Sequence, residues 1–322
     1  MTKLLALIVL SALLVVSAAG AATQTGPEAT SLSGKPLVSP PIGAEARVRM
    51  ESQLAEAQAA LTREPNGADA LIWVGRRTAY LGRYRDAIAV FTRGIAAHPQ
   101  DARFYRHRGH RYLTVREIDR AIADLERATQ LIAGKPDEVE PDGQPNARNV
   151  PTSSLHSNIW YHLALGYYIK GDFTKAAPAW QRTREAGRNP DNLVSASHWL
   201  YLTLRRLGRN ADATAVLTPI RADLEVIENG SYHSLLLLYK GERTPEAVLQ
   251  AAGEGASGTA VRYGVSAWHL VNGRRADADR LWTTILAGSD WPSFGFLAAE
   301  AETVRTPPRT GRRADRIAVR QQ

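Results

Sequence analysis

"YLGRYRDAIAVF" (Tyr80–Phe91) and "YIKGDFTKAAPAW" (Tyr168–Trp180) share one spacing of residues. In both stretches a glycine is followed by an aromatic residue two positions later, an alanine five positions later and a large aromatic residue nine positions later. Other residues recur 34 positions apart along the chain, among them Gly75 with Gly109, and Pro65 with Pro99. A fixed period of this length is typical of stacked supersecondary units.

Each period contains two helical patterns. In the first, Leu71, Val74 and Thr78 follow the spacing of one helix face, and in the second Ala87 and Phe91 do the same. No single helix pair can bury its apolar face alone, so the units must stack on one another. The spacing therefore predicts a solenoid of helical hairpins.

Small residues have a defined position in this unit. Gly75 and Ala87 lie where two antiparallel helices would cross, and only small side chains let the backbones approach to about 8–10 Å. Gly82 stands between the helices, where a left-handed residue ends the first one, and Pro99 closes the second. These positions predict a helix, a tight turn and a second helix in each unit.

The same residues resemble the tetratricopeptide repeat (TPR) family. The third unit matches that family's pattern at nearly every position, with Trp160, Leu163, Ala164, Tyr167, Gly171, Phe173, Ala176 and Trp180. In the second unit, Arg108 replaces the usual leucine. The resemblance implies an all-α fold, a right-handed superhelical solenoid of helix-turn-helix repeats with terminal capping helices.

The repeat pattern divides the chain into units. We expect a helical-repeat domain over 44–304, made of a cap at 44–65, repeats at 68–101, 102–135, 157–190 and 194–227, a degenerate unit at 228–255, a repeat at 259–291 and a cap helix at 292–304. An acidic, proline-rich insertion at 134–156 interrupts the array. A flexible linker at 23–43 precedes the array, and a basic disordered tail at 305–322 follows it.

The first 22 residues predict export. A lysine precedes the apolar run Leu4–Val16, and small residues suited to a signal peptidase lie near Ala19 to Ala22. The alternative is an uncleaved N-terminal membrane anchor, since a span needs about 20 apolar residues. We expect an exported, periplasmic or cell-envelope protein that contacts the membrane only if this segment is retained.

Charge and composition exclude several classes of protein. The net charge of +8 comes mostly from the tail at 305–322, which has six arginines and one aspartate. The repeat body is therefore close to neutral, and no nucleic-acid partner is expected. The absence of cysteine excludes disulfides, thiolate metal sites and a lipid-modified N-terminal cysteine.

Catalytic motifs are missing from the sequence. It has no glycine-rich phosphate loop, no nucleophile elbow and no pair of histidines flanking a glutamate on a helix. The pair His107 and His110 lies at i, i+3, and we interpret it as a solvated pair rather than a metal site, because no acid or cysteine stands in register. The sequence thus predicts neither an enzyme nor a bound cofactor or metal.

The TPR resemblance implies that the first helix of each unit lines a concave groove. Carried over one position at a time, the groove positions hold basic and aromatic residues: Arg76, Arg103, Arg106, His107, His110, Tyr161, His162, His198, Arg205 and Arg206. Arginine forks bind carboxylates in pairs of hydrogen bonds, so this groove suits an acidic peptide. The open alternative is that these side chains only solvate one face of an arginine-rich protein.

The insertion carries four acids, Asp137, Glu138, Glu140 and Asp142, and four prolines. Long loops without secondary structure are either functional or disordered. Two interpretations therefore stand: a solvated linker, or a loop that folds over the groove and competes with a partner.

These observations predict an exported, non-enzymatic scaffold or adaptor that binds a peptide or protein segment in its groove. In layout the chain resembles the repeat-containing adaptor lipoproteins of the bacterial envelope, although without cysteine its anchoring must differ. The alternative is a self-assembling structural scaffold, a homodimer or larger oligomer, because exposed aromatic residues mark interfaces. Its sequence support is the aromatic-rich C-terminal part: Trp268, Trp282, Trp291, Phe294 and Phe296.

Overall fold

The computed structural model describes residues 26–187 and 189–306, and within these ranges helices are the main secondary structure and the strands are limited to one short pair. The helices are α1 (Ala44–Arg63), α2 (Ala68–Tyr80), α3 (Tyr84–Ala97), α4 (Ala102–Thr114), α5 (Ile118–Ile132), α6 (Leu155–Lys170), α7 (Phe173–Ala186), α8 (Pro190–Arg206), α9 (Asn210–Val216), α10 (Gly230–Tyr239), α11 (Pro245–Gln250), α12 (Gly255–Val271), α13 (Arg275–Leu286) and α14 (Phe294–Arg305). Helices α2 and α3, α4 and α5, α6 and α7, and α12 and α13 pack as hairpins, and successive hairpins stack. The predicted all-α, TPR-like solenoid is confirmed.

The close crossing of paired helices depends on their small residues. A Cβ atom added at Gly75 would lie 2.3 Å from the ring of Phe91, so α2 and α3 could not hold their present separation with any larger residue. Gly82, which joins them, has a φ of +76°, the left-handed conformation that glycine adopts without strain. Both glycines have the roles that their spacing predicted.

Arg116 stands 34 residues after Gly82 and has the same left-handed backbone, with a φ of 68°. A side chain in this region costs about 1–2 kcal/mol, so the turn of the second unit is strained where the other turns use glycine. The side chain of Arg116 is buried. Its contacts lie in the C-terminal part of the chain and are described with the site below.

The helices shorten from the second helix of the fourth unit onward, one helix before the degenerate unit expected at 228–255. Helices α9, α10 and α11 have 7, 10 and 6 residues, shorter than their counterparts. Thr244 caps α11 by accepting a hydrogen bond from the backbone N–H of Ala247, and Pro245 occupies the first helical position. Helices α12 and α13 then restore a full hairpin.

The segment before α1 differs from its prediction as a flexible linker. Strands β1 (Ala29–Thr30) and β2 (Pro36–Leu37) pair in a short antiparallel hairpin. Glu28 is buried and accepts a hydrogen bond from the N–H of Arg85 at 3.0 Å, at the start of α3. Residues 26–43 therefore pack on the solenoid, because the polar groups of this segment find partners there that composition alone does not reveal.

Trp291 joins the two ends of the repeat array. Its indole N–H donates to the carbonyl of Val38 at 2.6 Å, and its ring meets that of Tyr84 edge to face with centroids 5.6 Å apart. Helix α14 then packs against α12, α13 and α6. The C-terminal helix consequently lies inside the curve of the solenoid rather than as one more layer at its end.

The C-terminal aromatic residues do not form the exposed patch that self-assembly would need. Trp282, Trp291 and Phe296 are buried, and Trp268 and Phe294 are half-buried. Among residues 26–187 and 189–306, the large hydrophobic side chains that are exposed are scattered valines. Three of these aromatics fill the core and two pack against it, so they give self-assembly no exposed aromatic patch, and the homodimer stays a prediction.

Two predicted segments fall outside the described residues: the N-terminal segment 1–22, and the tail after Thr306. In the ranges that the structure covers, no helix has both the length and the apolar character of a membrane span.

Candidate partner-binding site

Arg106 is the centre of the candidate site. It lies on α4, which begins where Asp101 accepts a hydrogen bond from the N–H of Arg103. The helix turns Arg106 inward, so that the residue is only 7% exposed. Its Nη2 contacts Oε1 of Glu140 at 3.0 Å, and Glu140 is itself 9% exposed. A carboxylate of the insertion therefore lies beside Arg106, in the place that the sequence analysis assigned to a carboxylate of a partner.

Neighbouring helices complete the contact around Glu140. Nδ2 of Asn158, on α6, donates to Oε2 of Glu140 at 3.1 Å. Nη1 of Arg77, on α2, donates to the carbonyl of Gly143 at 2.6 Å. Three successive first helices, α2, α4 and α6, thus hold one extended acidic segment through a carboxylate and a backbone carbonyl.

The insertion follows the surface closely at Gly143. A Cβ atom there would lie 2.0 Å from the hydroxyl of Tyr80, so this residue must be glycine for the backbone to pass. At the ends of the insertion, Asp137 accepts from the N–H of His156 at 2.9 Å, and Thr152 donates to Glu228 at 2.8 Å. The insertion is therefore a folded segment that lies over the groove, and residues 138–151 are called the strap below. This position supports the interpretation of the insertion as a loop that folds over the groove.

Burial lowers the pKa values of the groove histidines His107 and His110. Burial lowers the pKa of His107 well below its ordinary value, and the charges of Arg106 and Arg76 lower it further. The pKa of His110 is lowered by burial and by Arg111. Of the pair predicted to be solvated, His107 is buried and His110 is half-buried, and His107 stacks on Phe91 with centroids 5.4 Å apart.

The charge of Arg106 is only partly balanced. Burial lowers its pKa, and Glu140 offsets that effect incompletely while Arg76 adds to it. In the part of the chain that the structure describes, Nε of Arg106 is buried without a hydrogen-bond partner. Within the same residues neither Arg76 nor Arg111 has a carboxylate at ion-pair distance, although Arg76 acts on the pKa of the more distant Asp142.

Helix α14 covers the next part of the concave face. Phe294 packs against the imidazole rings of His110 and His162, with centroids 5.4 and 5.6 Å away. Nδ1 of His162 bonds the carbonyl of Asn158 at 2.6 Å, and burial lowers its pKa well below the ordinary value, followed by the effect of Arg106. Tyr161 accepts from the indole of Trp199 at 2.9 Å. His162 and Tyr161 thus serve the packing of α14.

Two glutamates of α14 form ion pairs with arginines of the repeats. Nε of Arg116 contacts Oε2 of Glu300 at 2.9 Å, and Nη2 of Arg116 donates to the carbonyl of Trp291 at 2.8 Å. Nη1 of Arg206 contacts Oε1 of Glu302 at 2.5 Å. These contacts explain why the strained turn at Arg116 is kept.

The remaining predicted groove residues are engaged elsewhere. Arg103 pairs with Asp101 and Asp69 at the edge of the solenoid, and its hydrogen bond to Asp101 raises its pKa. Arg205 donates to the carbonyl of Val271 at 2.9 Å. Arg76 lies over the ring of Trp73, 4.5 Å from its centroid.

His198 is enclosed among aromatic side chains. Its Nδ1 lies 3.0 Å from the hydroxyl of Tyr239, and burial lowers its pKa to about 3. Among the ten predicted site residues, Arg106 forms the ion pair with the insertion and Arg206 forms one with Glu302 of α14. The others pack against neighbours, pair with nearby acids or bond backbone carbonyls. The prediction of an open row of partner-binding side chains therefore differs from the structure.

Sequence reasoning missed the partners of these residues. Asn158, Arg116, Glu300 and Glu302 were not assigned to the site. Arg116 carried a usable signal, since it replaces glycine at a turn position of the repeat. The two glutamates had none, because their partners lie 184 and 96 residues away.

No protein-family model matches the chain, and no curated protein sequence matches it. Among solved structures, a tetratricopeptide repeat protein from Parabacteroides merdae is similar at 13% identity and a TM-score of 0.46, over 80% of this chain and 93% of that one. BtubC from P. vanneervenii is similar at 12% identity and a TM-score of 0.44, over 87% of this chain and all of that one.

A third similar structure is YrrB, a TPR protein with an unusual peptide-binding site. It matches at 14% identity and a TM-score of 0.41, over 77% of this chain and 97% of that one. Likeness at these levels identifies no ligand and no partner. The TPR-like fold of this chain rests on its own 34-residue repeat and stacked helical hairpins.

Proposed function

We propose that this chain is a non-enzymatic protein-interaction scaffold, exported to the cell envelope, that binds an extended acidic segment of a partner on its concave face around Arg106. One observation carries the proposal: the same face binds an extended acidic segment of its own chain, at Glu140 and Gly143. That internal contact is a template for how a partner segment would lie.

The template combines two kinds of recognition. Arg106 and Asn158 contact the carboxylate of Glu140, and hydrogen bonds to charged groups contribute about 1.5–3 kcal/mol each. Arg77 binds a backbone carbonyl, which any sequence presents. A partner segment would thus be selected for a carboxylate at one position and for an extended backbone beside it.

The surrounding charge supports an acidic partner. Arg76 and Arg111 lower the pKa of His107, as Arg106 does, so all three guanidinium groups act on the same small region. The insertion supplies one carboxylate in contact with Arg106, that of Glu140, and a second, Asp142, on which Arg76 acts without an ion pair. A partner segment that brought its second carboxylate into contact with Arg76 or Arg111 would pair positive charge that the insertion leaves unpaired.

Export is the part of the proposal that rests on sequence alone. The apolar run Leu4–Val16 and the small residues after it are the basis for an envelope location. A partner would then be another protein of the envelope. N-terminal sequencing of the protein recovered from the periplasmic fraction checks this, and a chain that still begins at Met1 in the cytoplasm would contradict it.

The experiment is a capture from envelope extract with the chain beginning at residue 23. The test variant carries Arg106→Leu and Glu140→Leu together, because removing both members of a buried pair leaves no uncompensated charge. The matched control is Arg103→Gln, in the same helix but paired only with Asp101 and Asp69.

We expect a partner that native chain and control retain and the double variant loses, measured by mass spectrometry of the eluates. Thermal unfolding by circular dichroism checks that all three chains are folded. Identical partners on all three chains would show that recognition lies away from Arg106 and would refute the proposed site.

A further inference from the structure

We propose that residues 138–151 of the insertion act as an internal competitor, which holds the acidic-segment site closed until a partner carboxylate replaces Glu140. This inference rests on the proposed function, since it concerns the same site around Arg106. It adds a regulatory property: the site is occupied in the unbound protein, and partner binding requires displacement of the strap.

Burial shows that the site is closed while Glu140 is in place. Arg106 and Glu140 are both more than nine-tenths buried, and the only carboxylate at ion-pair distance from Arg106, among the residues described, is that of Glu140. A partner side chain cannot reach the guanidinium without removing Glu140. The two acids must therefore compete for one position.

Among the described residues, the strap forms backbone-to-backbone hydrogen bonds with the rest of the chain only at its base. The N–H of Glu140 donates to the carbonyl of Ser153 at 3.2 Å, and the N–H of Leu155 donates to that of Glu138 at 2.9 Å. Val139, between them, is 65% exposed. Such a segment buries little apolar surface, so it opens at a smaller free-energy cost than a packed helix.

The ends of the strap are anchored independently of Glu140. Asp137 binds the N-terminus of α6, and the carbonyl of Thr152 accepts from Nδ2 of Asn189 at 2.9 Å. Because these anchors remain when Glu140 leaves, the displaced strap stays tethered beside its site. A tethered ligand competes at an effective concentration of about millimolar for short flexible links.

The strap is also an imperfect ligand. Asp142 has a buried oxygen, Oδ2, without a hydrogen-bond partner in the described residues. Its pKa is raised by burial and then by the nearby charge of Glu228, while Arg76 acts in the opposite direction. A partner segment that keeps its second carboxylate away from Glu228 avoids this repulsion, so it can displace the strap despite the tether.

The chain's own insertion provides a defined probe. A fluorescent peptide of sequence PDEVEPDGQPNARN, residues 136–149, with both termini blocked, is titrated against the chain beginning at residue 23. Four proteins are compared: native, Glu140→Gln, the matched control Glu138→Gln, and the Arg106→Leu and Glu140→Leu double variant. Glu138 lies in the same strap but is exposed.

We expect the Glu140→Gln chain to bind the peptide at least about tenfold more tightly than the native chain or the Glu138→Gln control, because the internal carboxylate no longer competes. The double variant should not bind, and a peptide with glutamine at the Glu140 position should lose affinity. Equal affinity of native and Glu140→Gln chains, or absence of binding to both, would overturn the competitor model.

A second variant keeps the model testable if the Glu140→Gln chain does not fold. In it, residues 139–152 are replaced by a four-residue glycine-serine link, which is geometrically feasible because Glu138 and Leu155 are already hydrogen-bonded across the base of the strap. This chain should bind the peptide at least as tightly as Glu140→Gln.

The proposed function and the competitor model fail in different ways. If captured partners are unaffected by the double variant, the proposed site is wrong. If they are lost by the double variant but retained equally by native and strap-shortened chains, the site stands and the strap is not a competitor.

Discussion

The insertion and α14 both place carboxylates against arginines of the concave face, but they do so on different supports. Glu140 projects from an irregular strap whose neighbour Val139 is exposed. Glu300 and Glu302 project from a regular helix whose intervening residue, Ala301, is buried. Similar ion pairs are therefore formed by two kinds of segment: the strap, which can open, and α14, which is part of the core.

The pKa of the arginine distinguishes one of the α14 pairs from the strap pair. Burial lowers the pKa of Arg206, but Glu302 and nearby tyrosines outweigh that effect and the pKa is raised. For Arg106 the burial effect prevails over Glu140, and the pKa is lowered. Arg116, beside Glu300, behaves like Arg106: burial lowers its pKa more than the carboxylate raises it. The Arg206–Glu302 pair is therefore the one that fully compensates its arginine, and the contrast between strap and helix rests on their supports.

The largest expected effect is at Glu302. Replacing it with alanine leaves Arg206 and Arg305 without this carboxylate, whose two oxygens their side chains contact at 2.5 and 3.0 Å. Breaking a buried pair costs about 3–5 kcal/mol of unfolding free energy. Urea unfolding at pH 7 measures this loss. A loss below about 1 kcal/mol would mean that α14 is as easily released as the strap.

Acid should destabilise the protein through its buried histidines. The pKa values of His107, His110, His162 and His198 are all lowered, so below about pH 6.5 the unfolded state binds more protons than the folded one. Stability is therefore full above about pH 6.5 and is lost as pH falls, on the order of 1 kcal/mol for each histidine between pH 6.5 and 5.5.

Carboxylates act in the opposite direction at lower pH. Burial raises the pKa of Glu28 and Glu300 from 4.5, which favours the folded state as these groups take up protons. Unfolding midpoints measured between pH 5.5 and 7.5 isolate the histidine effect. A midpoint that does not change across this range would contradict the enclosure of the four imidazole groups.

Arg116→Gly tests the junction between the second repeat and α14. Glycine relieves a strain of about 1–2 kcal/mol at the left-handed backbone, but it leaves Glu300 buried without its partner at a cost of about 3–5 kcal/mol. We expect a net loss of about 1–4 kcal/mol in urea unfolding. Asn149→Gly is the control, because Asn149 is also left-handed but exposed. Any gain in stability for Arg116→Gly would show that the ion pair contributes less than the strain that glycine relieves.

Glu140→Ala should cost less than either change near α14. The strap can move away and let water reach Arg106, so we expect a loss of about 1–2 kcal/mol rather than the full cost of a stranded buried charge. Glu138→Ala should be nearly neutral, as exposed substitutions usually are. A loss for Glu140→Ala that equals that of Glu302→Ala would remove the contrast between strap and helix.

Hydrogen exchange sharpens the same contrast without a mutation. Amides of 138–151 should exchange at least about tenfold faster than those of 296–302, because local opening of the strap exposes little apolar surface. Mass spectrometry of peptic fragments resolves the two segments. Equal protection would indicate that strap and helix open together.

Local rules account for the parts of the fold that were predicted from sequence. The 34-residue period, the contact of Gly75 with Phe91, the left-handed turn at Gly82 and the cap at Thr244 each depend on residues close in sequence or on one repeat interface. Helix spacing and turn chemistry are sufficient for such features.

The candidate site was predicted in part. Arg106 was identified by its repeat position, and an acidic loop over the groove was one of two interpretations of the insertion. The burial of Arg106 and its pairing with Glu140 in particular were not predicted, because spacing shows which face a residue occupies and not what covers that face. The same limit applies to His107 and His110, which the pattern placed on the groove and which are buried and half-buried in the structure. Packing of 26–43 was missed since its partners lie in α3 and beyond.

The sequence by itself determined the unit of this protein: a helical hairpin, its small crossing residues, its turns and the number of times it recurs. Only the tertiary structure decided what fills the curve of the array, where Trp291 meets Val38 and Tyr84, and where Glu300 and Glu302 meet Arg116 and Arg206. The physical reason is that solenoid curvature is the sum of small rotations at each repeat interface. Whether residues about 100–250 positions apart come together depends on that sum, which no single repeat encodes.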